Sequence, residues 1–348
     1  MRAQPCGAVV YGIDLGKSSF HVVGLDANGH PIQRCKLSRA TVFTFFGNAS
    51  SALIGMEACP GSQWLARKLQ ALGHLVKILP AQFVKPYVKS NKSDTIDAEA
   101  IAEAVTRPTM RFVQIKQPEQ LELQALHRAR DLLMSNRTQL ICQIRAFCLE
   151  YGVAMRHGVG SFKQDFVRVL GDETNDLAPR MRQLLRDQWS HLQVIEARVA
   201  ALTQQINAIA SASDLARRLT TIPGIGQLTA TALIAATGDG KQFARARDLA
   251  AWLGLTPAQY STGGKPTLLG ISKRGNPYLR RLLIHGARSC VLHMDRNKDR
   301  LAAWLSGLQG RMHPNKVVVA LANKLASIAW VILNHPGALY QRNDPRFA

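Results

Sequence analysis

The chain has 348 residues, 44 Lys and Arg against 23 Asp and Glu, and a formal net charge of +21. That length exceeds a single core, and 47% apolar with only 19% charged residues excludes a disordered basic tail. So positive a chain calls for a polyanion, either nucleic acid or an acidic membrane surface. The longest apolar run, Val317 to Leu333, is broken by Asn323 and Lys324 and falls short of the about 20 residues of a span, so no membrane partner is expected. The N-terminus lacks a signal-peptide core, and the six cysteines form no CxxC pair. Zinc knuckles and a disulfide scaffold are thereby disfavoured, and a reducing cytoplasm fits.

In chain order, residues 1–115 read as α/β. Ala8–Asp14 and Ala52–Glu57 are short apolar runs that each end in an acid. Ser19–Leu25 and Ile32–Leu37 flank Asn28-Gly29, a hairpin signal. Gly61–Leu72 is helical with Gly73 as its C-cap, Leu75–Leu79 is the next strand, and Asp94–Thr106 is an Ala-rich helix. Residues 116–215 are helical. One seam runs Leu123, Leu126, Leu133, Leu140, Ile144 and Phe147, with Arg130 and Arg137 at two of its positions. A cleaner one, Leu192, Ile195, Val199, Leu202, Ile206 and Ile209, predicts a helical hairpin or a coiled-coil arm that assembles a dimer or tetramer. Residues 216–348 read as short helices over Leu228–Thr237, Ala246–Leu253, Pro277–Met294 and Val317–Leu333.

Divided the same way, the net charge is +6, +1 and +14. No carboxylate lies between Asp248 and Asp295, whereas Lys265, Lys273, Arg274, Arg280, Arg281 and Arg288 do. A solvated surface mixes both signs, so this stretch reads as a phosphate-contacting face.

Asp14 and Glu57 sit at predicted strand ends, where side chains project into the crevice of an open sheet. Asp94 and Asp97, three apart at a helix start, face the same way. If that helix packs near the strand ends, four carboxylates converge, and an all-oxygen set selects Mg²⁺ or Mn²⁺. Two such ions serve phosphodiester cleavage. Taken singly, Asp94 is also a plausible N-cap and Asp97 a favourable first-turn acid. GIDLGK is also similar to the first phosphate loop of actin-like ATPases and sugar kinases, but no second phosphate loop or adenosine motif follows.

Thr221-Ile-Pro-Gly-Ile-Gly226 resembles the turn of a helix-hairpin-helix, in which Gly224 and Gly226 let backbone N–H groups approach a phosphate. In GLTPAQYSTGGKPTLLGISKRGNPYLRR, Ser261 and Thr262 precede a glycine pair and Lys265. Alone, Ser-Thr-Gly-Gly is a turn; amid cations, its hydroxyl could also attack a phosphate.

GIDLGKSSFHV, IGMEACPGSQWLARKL, NKSDTIDAEAIAEAV, IPGIG and GLTPAQYSTGGKPTLLGISKRGNPYLRRLL together resemble the DEDD transposases of bacterial insertion sequences related to the pilin-gene invertase. The resemblance implies an RNase H-like (Holliday-junction-resolvase-like) domain over 1–115, a helical coiled-coil segment over 116–215, and a mostly helical transposase domain over 216–348. It further implies Asp14, Glu57, Asp94 and Asp97 as DEDD metal ligands and a serine nucleophile that links covalently to DNA, aligning with Ser261 or Thr262, of which the less hindered Ser261 is preferred. Its partners would be donor and target DNA and a structured guide RNA, with Lys265, Lys273, Arg274, Arg280 and Arg281 holding backbones. A junction resolvase or nuclease of the same fold, and a non-catalytic nucleic-acid-binding protein, are the competing readings.

Overall fold

The computed structural model describes residues 4–89, 93–294 and 300–342, so Asn91, Lys92 and Asp295 of the stretches above lie outside the described residues. The chain divides into two compact units, Met1–Gln117 and Pro118–Ala348.

The first unit runs β1 (Val10–Leu15), β2 (Ser19–Leu25), β3 (Pro31–Ser38), α1 (Val42–Gly47), β4 (Leu53–Glu57), α2 (Ser62–Ala71), β5 (Leu75–Leu79), α3 (Ala81–Val84) and α4 (Asp94–Val105). Its sheet has the order β3-β2-β1-β4-β5. The first three strands form an antiparallel meander, and β4 and β5 continue it in parallel with β1. Strand alternation sorts the side chains into two cores. On one face Tyr11, Ile13, Phe20, Val22, Ile54 and Met56 pack with Phe45 and Phe46 of α1 and Leu65 and Leu69 of α2. The other face meets α4 through Val23, Leu25, Ala98 and Ala102.

Two glycines set how closely α4 lies on that face. A Cβ at Gly12 would stand 2.1 Å from the Ala98 carbonyl oxygen and 2.8 Å from Ala102 Cβ, and one at Gly55 would stand 2.8 Å from Val105 Cβ. At Gly12 the α4 backbone itself lies against the strand, and at Gly55 the Val105 side chain fills the space. Asp14, two residues beyond Gly12, and Glu57, two beyond Gly55, emerge on the α4 side of the sheet.

The second unit is largely helical: α5 (Pro118–Leu149), α6 (Val159–Gly171), α7 (Pro179–Ala212), α8 (Asp214–Leu219), α9 (Gln227–Thr237), α10 (Ala246–Trp252), β6 (Pro257–Thr262), β7 (Lys265–Ile271), α11 (Pro277–His293), α12 (Arg300–Gln309) and α13 (Pro314–Asn334). The long helices α5 and α7 pack together, and Leu192, Ile195 and Val199 share a core with Leu140, Ile141 and Ile144. Most of the seam expected to join subunits therefore closes within the chain. Ile209, at its end, is exposed. Helix α13 has the length and apolarity of a membrane span. Its Val317, Leu321, Leu325, Ile328 and Ile332 are instead buried in a core with Leu249, Leu279 and Leu283.

Candidate metal centre and nucleophile ribbon

Lys17 and Ser18 make the β1–β2 turn, closed by the Gly16 N–H donating to the Ser19 carbonyl at 2.9 Å, and counting outward places Leu15 opposite Phe20 and Asp14 opposite His21. Helix α4 begins above this pair. One turn before the Ala98 crossing, Asp94 reaches back so that its Oδ2 lies 3.3 Å from His21 Nδ1. Ligand atoms of Asp14, His21 and Asp94 all lie within 4.8 Å of one another. The His21 side chain is 18% exposed and that of Asp94 62%, so the group opens to solvent on the helix side.

The structure brings together two of the four expected acids and adds an imidazole. Glu57 and Asp97 do not join the group at that spacing. Glu57 still ends β4 beside β1, and its charge is felt locally. The Cys59 thiol is pushed up first by burial and then by the Glu57 and Asp14 carboxylates. Asp97 is half-buried in the first turn of α4. The other α4 acids are matched by cations: Glu99 by Arg34 at 2.9 Å, and Glu103 by Lys89 at 2.9 Å and Arg107 at 2.7 Å. Two carboxylates and a histidine nitrogen suit a divalent cation such as Mn²⁺, and Mg²⁺ through the oxygens. Sequence reading missed His21, although the short antiparallel turn and period-2 alternation already place it across from Asp14.

Ser261 and Thr262 are not turn residues. They end β6, and the turn is Gly263-Gly264 alone, with φ of +56° and +76°. Two successive left-handed residues suit a two-residue hairpin and favour glycine at both places. The register sets Ser261 opposite Pro266 and Thr262 opposite Lys265. The two hydroxyls thus project from opposite faces of the ribbon. Thr262 shares its face with Tyr260 and Lys265, and Ser261 shares its own with Gln259, whose Nε2 donates to Ser261 Oγ at 2.6 Å. The ribbon is exposed almost throughout, Tyr260 at 65% and Leu268 at 68% included.

The other expected contact residues divide. Lys265, Lys273 and Arg274 are exposed, and Lys273 adopts φ +54°. The Arg280 guanidinium donates to the carbonyls of Leu253 and Arg274, both at 2.9 Å, and so pins the loop before α11. Arg281 pairs with Asp131 and lies over the Tyr278 ring. Gly224 is packed against α11, where a Cβ would stand 2.6 Å from the Gly286 carbonyl oxygen. Gly226, by contrast, is exposed at the N-cap of α9. Beside these lies a buried residue that no sequence pattern singled out. His127 bonds Tyr278 Oη and Thr231 Oγ1, each at 3.0 Å. Thr231 already donates to the Gln227 carbonyl, so His127 Nε2 donates to Thr231 and Nδ1 accepts from Tyr278. Burial, with Arg130 nearby, pushes the His127 pKa down to about 4.

An α/β unit with acids at one sheet edge, followed by a basic helical unit, is compatible with a DEDD-type transposase. Known proteins agree. A DEDD transposase model of the IS110 type matches residues 11–152, and one described as "Transposase IS116/IS110/IS902 family" matches residues 216–303. The chain is 44% identical to the "Probable family 20 transposase" of Pseudomonas aeruginosa, over 93% of this chain and 96% of that one. It is 42% identical to the "Transposase for insertion sequence element IS1328" of Yersinia enterocolitica, over 92% and 95%. The "Pilin gene-inverting protein" of Moraxella bovis is 26% identical over 82% and 81%. The chain belongs to the IS110/IS116/IS902 family of transposases, enzymes of DNA recombination.

Proposed function

We propose that this transposase excises and inserts an insertion sequence by divalent-metal-dependent strand cleavage and transfer, through a covalent Ser261–DNA link, with a structured RNA pairing to donor and target DNA. The observation that carries the reading is the grouping of Asp14, His21 and Asp94 on the α4 side of the five-stranded sheet. Asp14, Glu57, Asp94 and Asp97 are the ligand set, with Glu57 beside Asp14 and Asp97 one turn from Asp94. A bound Mg²⁺ or Mn²⁺ supplies positive charge to the phosphoryl oxygens. The chain's own part is to hold the carboxylates at fixed spacing and to present the hydroxyl.

In the covalent step the bond from Ser261 Oγ to phosphorus forms as phosphorus parts from one deoxyribose oxygen. The Oγ proton leaves, and the departing oxygen takes one up; transfer reverses both. Lys265, Lys273 and Arg274 meet the backbones, with Gly224 and Gly226 in a helix-hairpin-helix-like turn. Arg280 pins the loop that carries Lys273 and Arg274, and Arg281 ties α11 to Asp131 of α5. The enzyme acts on DNA in the cytoplasm, and base pairing by the RNA supplies sequence choice. Assembly as a homo-oligomer would use surfaces beyond the seam closed in α7.

Denaturing capture of protein–DNA adducts tests the scheme. The wild type leaves an adduct at Ser261, whereas a nuclease that cuts by metal-activated water leaves none. RNA recovered with the purified protein is expected to map to the DNA flanking its gene; absence of such RNA overturns guidance alone.

A further inference from the structure

The β6–β7 ribbon holds a second functional group beside the serine, and this inference rests on the reading of Ser261 as nucleophile. We propose that Gln259 is a positioning residue for phosphoryl transfer, its side-chain amide fixing Ser261 Oγ through the attack. Three observations lead there. A register irregularity between Pro257 and Gln259 shifts β6 against β7, after which Gln259 and Ser261 fall on one face. Gln259 Nε2 lies 2.6 Å from Ser261 Oγ, and an amide nitrogen can only donate. The cross-strand neighbours on that face are Leu268 and Pro266, which offer no side-chain hydrogen-bonding group.

The consequence is chemical. A donor on one Oγ lone pair selects a single rotamer of an otherwise exposed hydroxyl and leaves the second lone pair and the proton facing away from Gln259. As the proton leaves, the same N–H stabilises the developing negative charge on oxygen, more strongly than it held the neutral hydroxyl. No proton passes to or from the amide. Thr262 lies on the opposite face with Tyr260 and Lys265, so Gln259 reaches one of the two hydroxyls and not the other.

The test uses the purified full-length protein with its co-purified nucleic acid and DNA duplexes spanning the native flanks of its gene. Gln259→Met keeps length and removes the donor. At saturating duplex it is expected to slow adduct formation by about 10²-fold, with duplex affinity and melting temperature unchanged. Gln259→Lys, which keeps an N–H donor, is expected to form adduct at least about 5-fold faster than Gln259→Met. Wild-type adduct rates for Gln259→Met, or equal rates for the Met and Lys variants, overturn the proposal. Ser261→Ala separates this from failure of the underlying reading. Loss of all adduct there leaves the nucleophile in place whatever Gln259 does, while persistence removes nucleophile and positioning residue together.

Discussion

The two halves of the proposed chemistry are built in opposite ways. The carboxylate edge of the first unit is over-determined: two strand pairings and a helix lying directly on glycine fix Asp14, His21 and Asp94. The β6–β7 ribbon has two strands, exposed faces and a bare glycine tip. A charge cluster that must not move is set by backbone packing. The hydroxyl proposed to meet a nucleic acid is carried on an element with little of its own to rest on.

The largest effects should come from the reacting groups of each half. Asp14→Ala and Ser261→Ala are each expected to abolish excision of an element with its native ends, scored by junction amplification, with nucleic-acid binding retained. Asp14→Ala should also weaken Mn²⁺ binding in calorimetry, whereas Ser261→Ala should leave it unchanged. Loss of Mn²⁺ binding in Ser261→Ala would break the division between the halves.

Next comes the packing that fixes the first half. Gly12→Ala forces α4 off β1, because the added carbon meets backbone of Ala98 and Ala102 that cannot yield by a rotamer change. Denaturant titration should show a loss of about 1–3 kcal/mol, with weaker Mn²⁺ binding. Gly263→Ala and Gly264→Ala meet open space and strain the turn alone, so they should leave Mn²⁺ binding unaffected.

A separate effect follows pH. His127 has a pKa near 4 when folded and an ordinary value of 6.5, so the unfolded chain binds the extra proton between these values. Stability from the neutral His127 network is complete above about pH 6.5 and is lost as pH falls towards 4. His127→Gln should flatten the fall seen by denaturant titration in that window. Smallest is Lys265→Ala, expected to lower the slope of log affinity against log salt by about 1 in duplex binding.

Much of this was legible in the sequence. The β1, β2, β4 and β5 strands and α4 are readable because alternation, an acid at a strand end and the Asn28-Gly29 turn all act within a few residues. The charge division likewise marks the carboxylate-free stretch. What escaped depends on partners distant in sequence. His21 gains meaning only across a strand pair and under α4. The packing of α11 against Gly224 and the two carbonyl partners of Arg280 likewise come from residues far along the chain. Ser-Thr-Gly-Gly reads as one turn because local propensity favours it, yet pairing with β7 draws the two hydroxyls into a strand and onto opposite faces.

Pro266 has a further consequence. Thr262 and Lys265 flank a two-residue turn and close it as a bonded pair, so by antiparallel alternation Ser261 and Pro266 turn their backbone groups outward. Pro266 has no N–H to offer there. A thin ribbon bearing exposed Tyr260, Leu268 and Leu269 is otherwise a template for strand addition by another chain. A missing donor on its open edge, level with the serine, guards against self-association and leaves the ribbon available to its substrate.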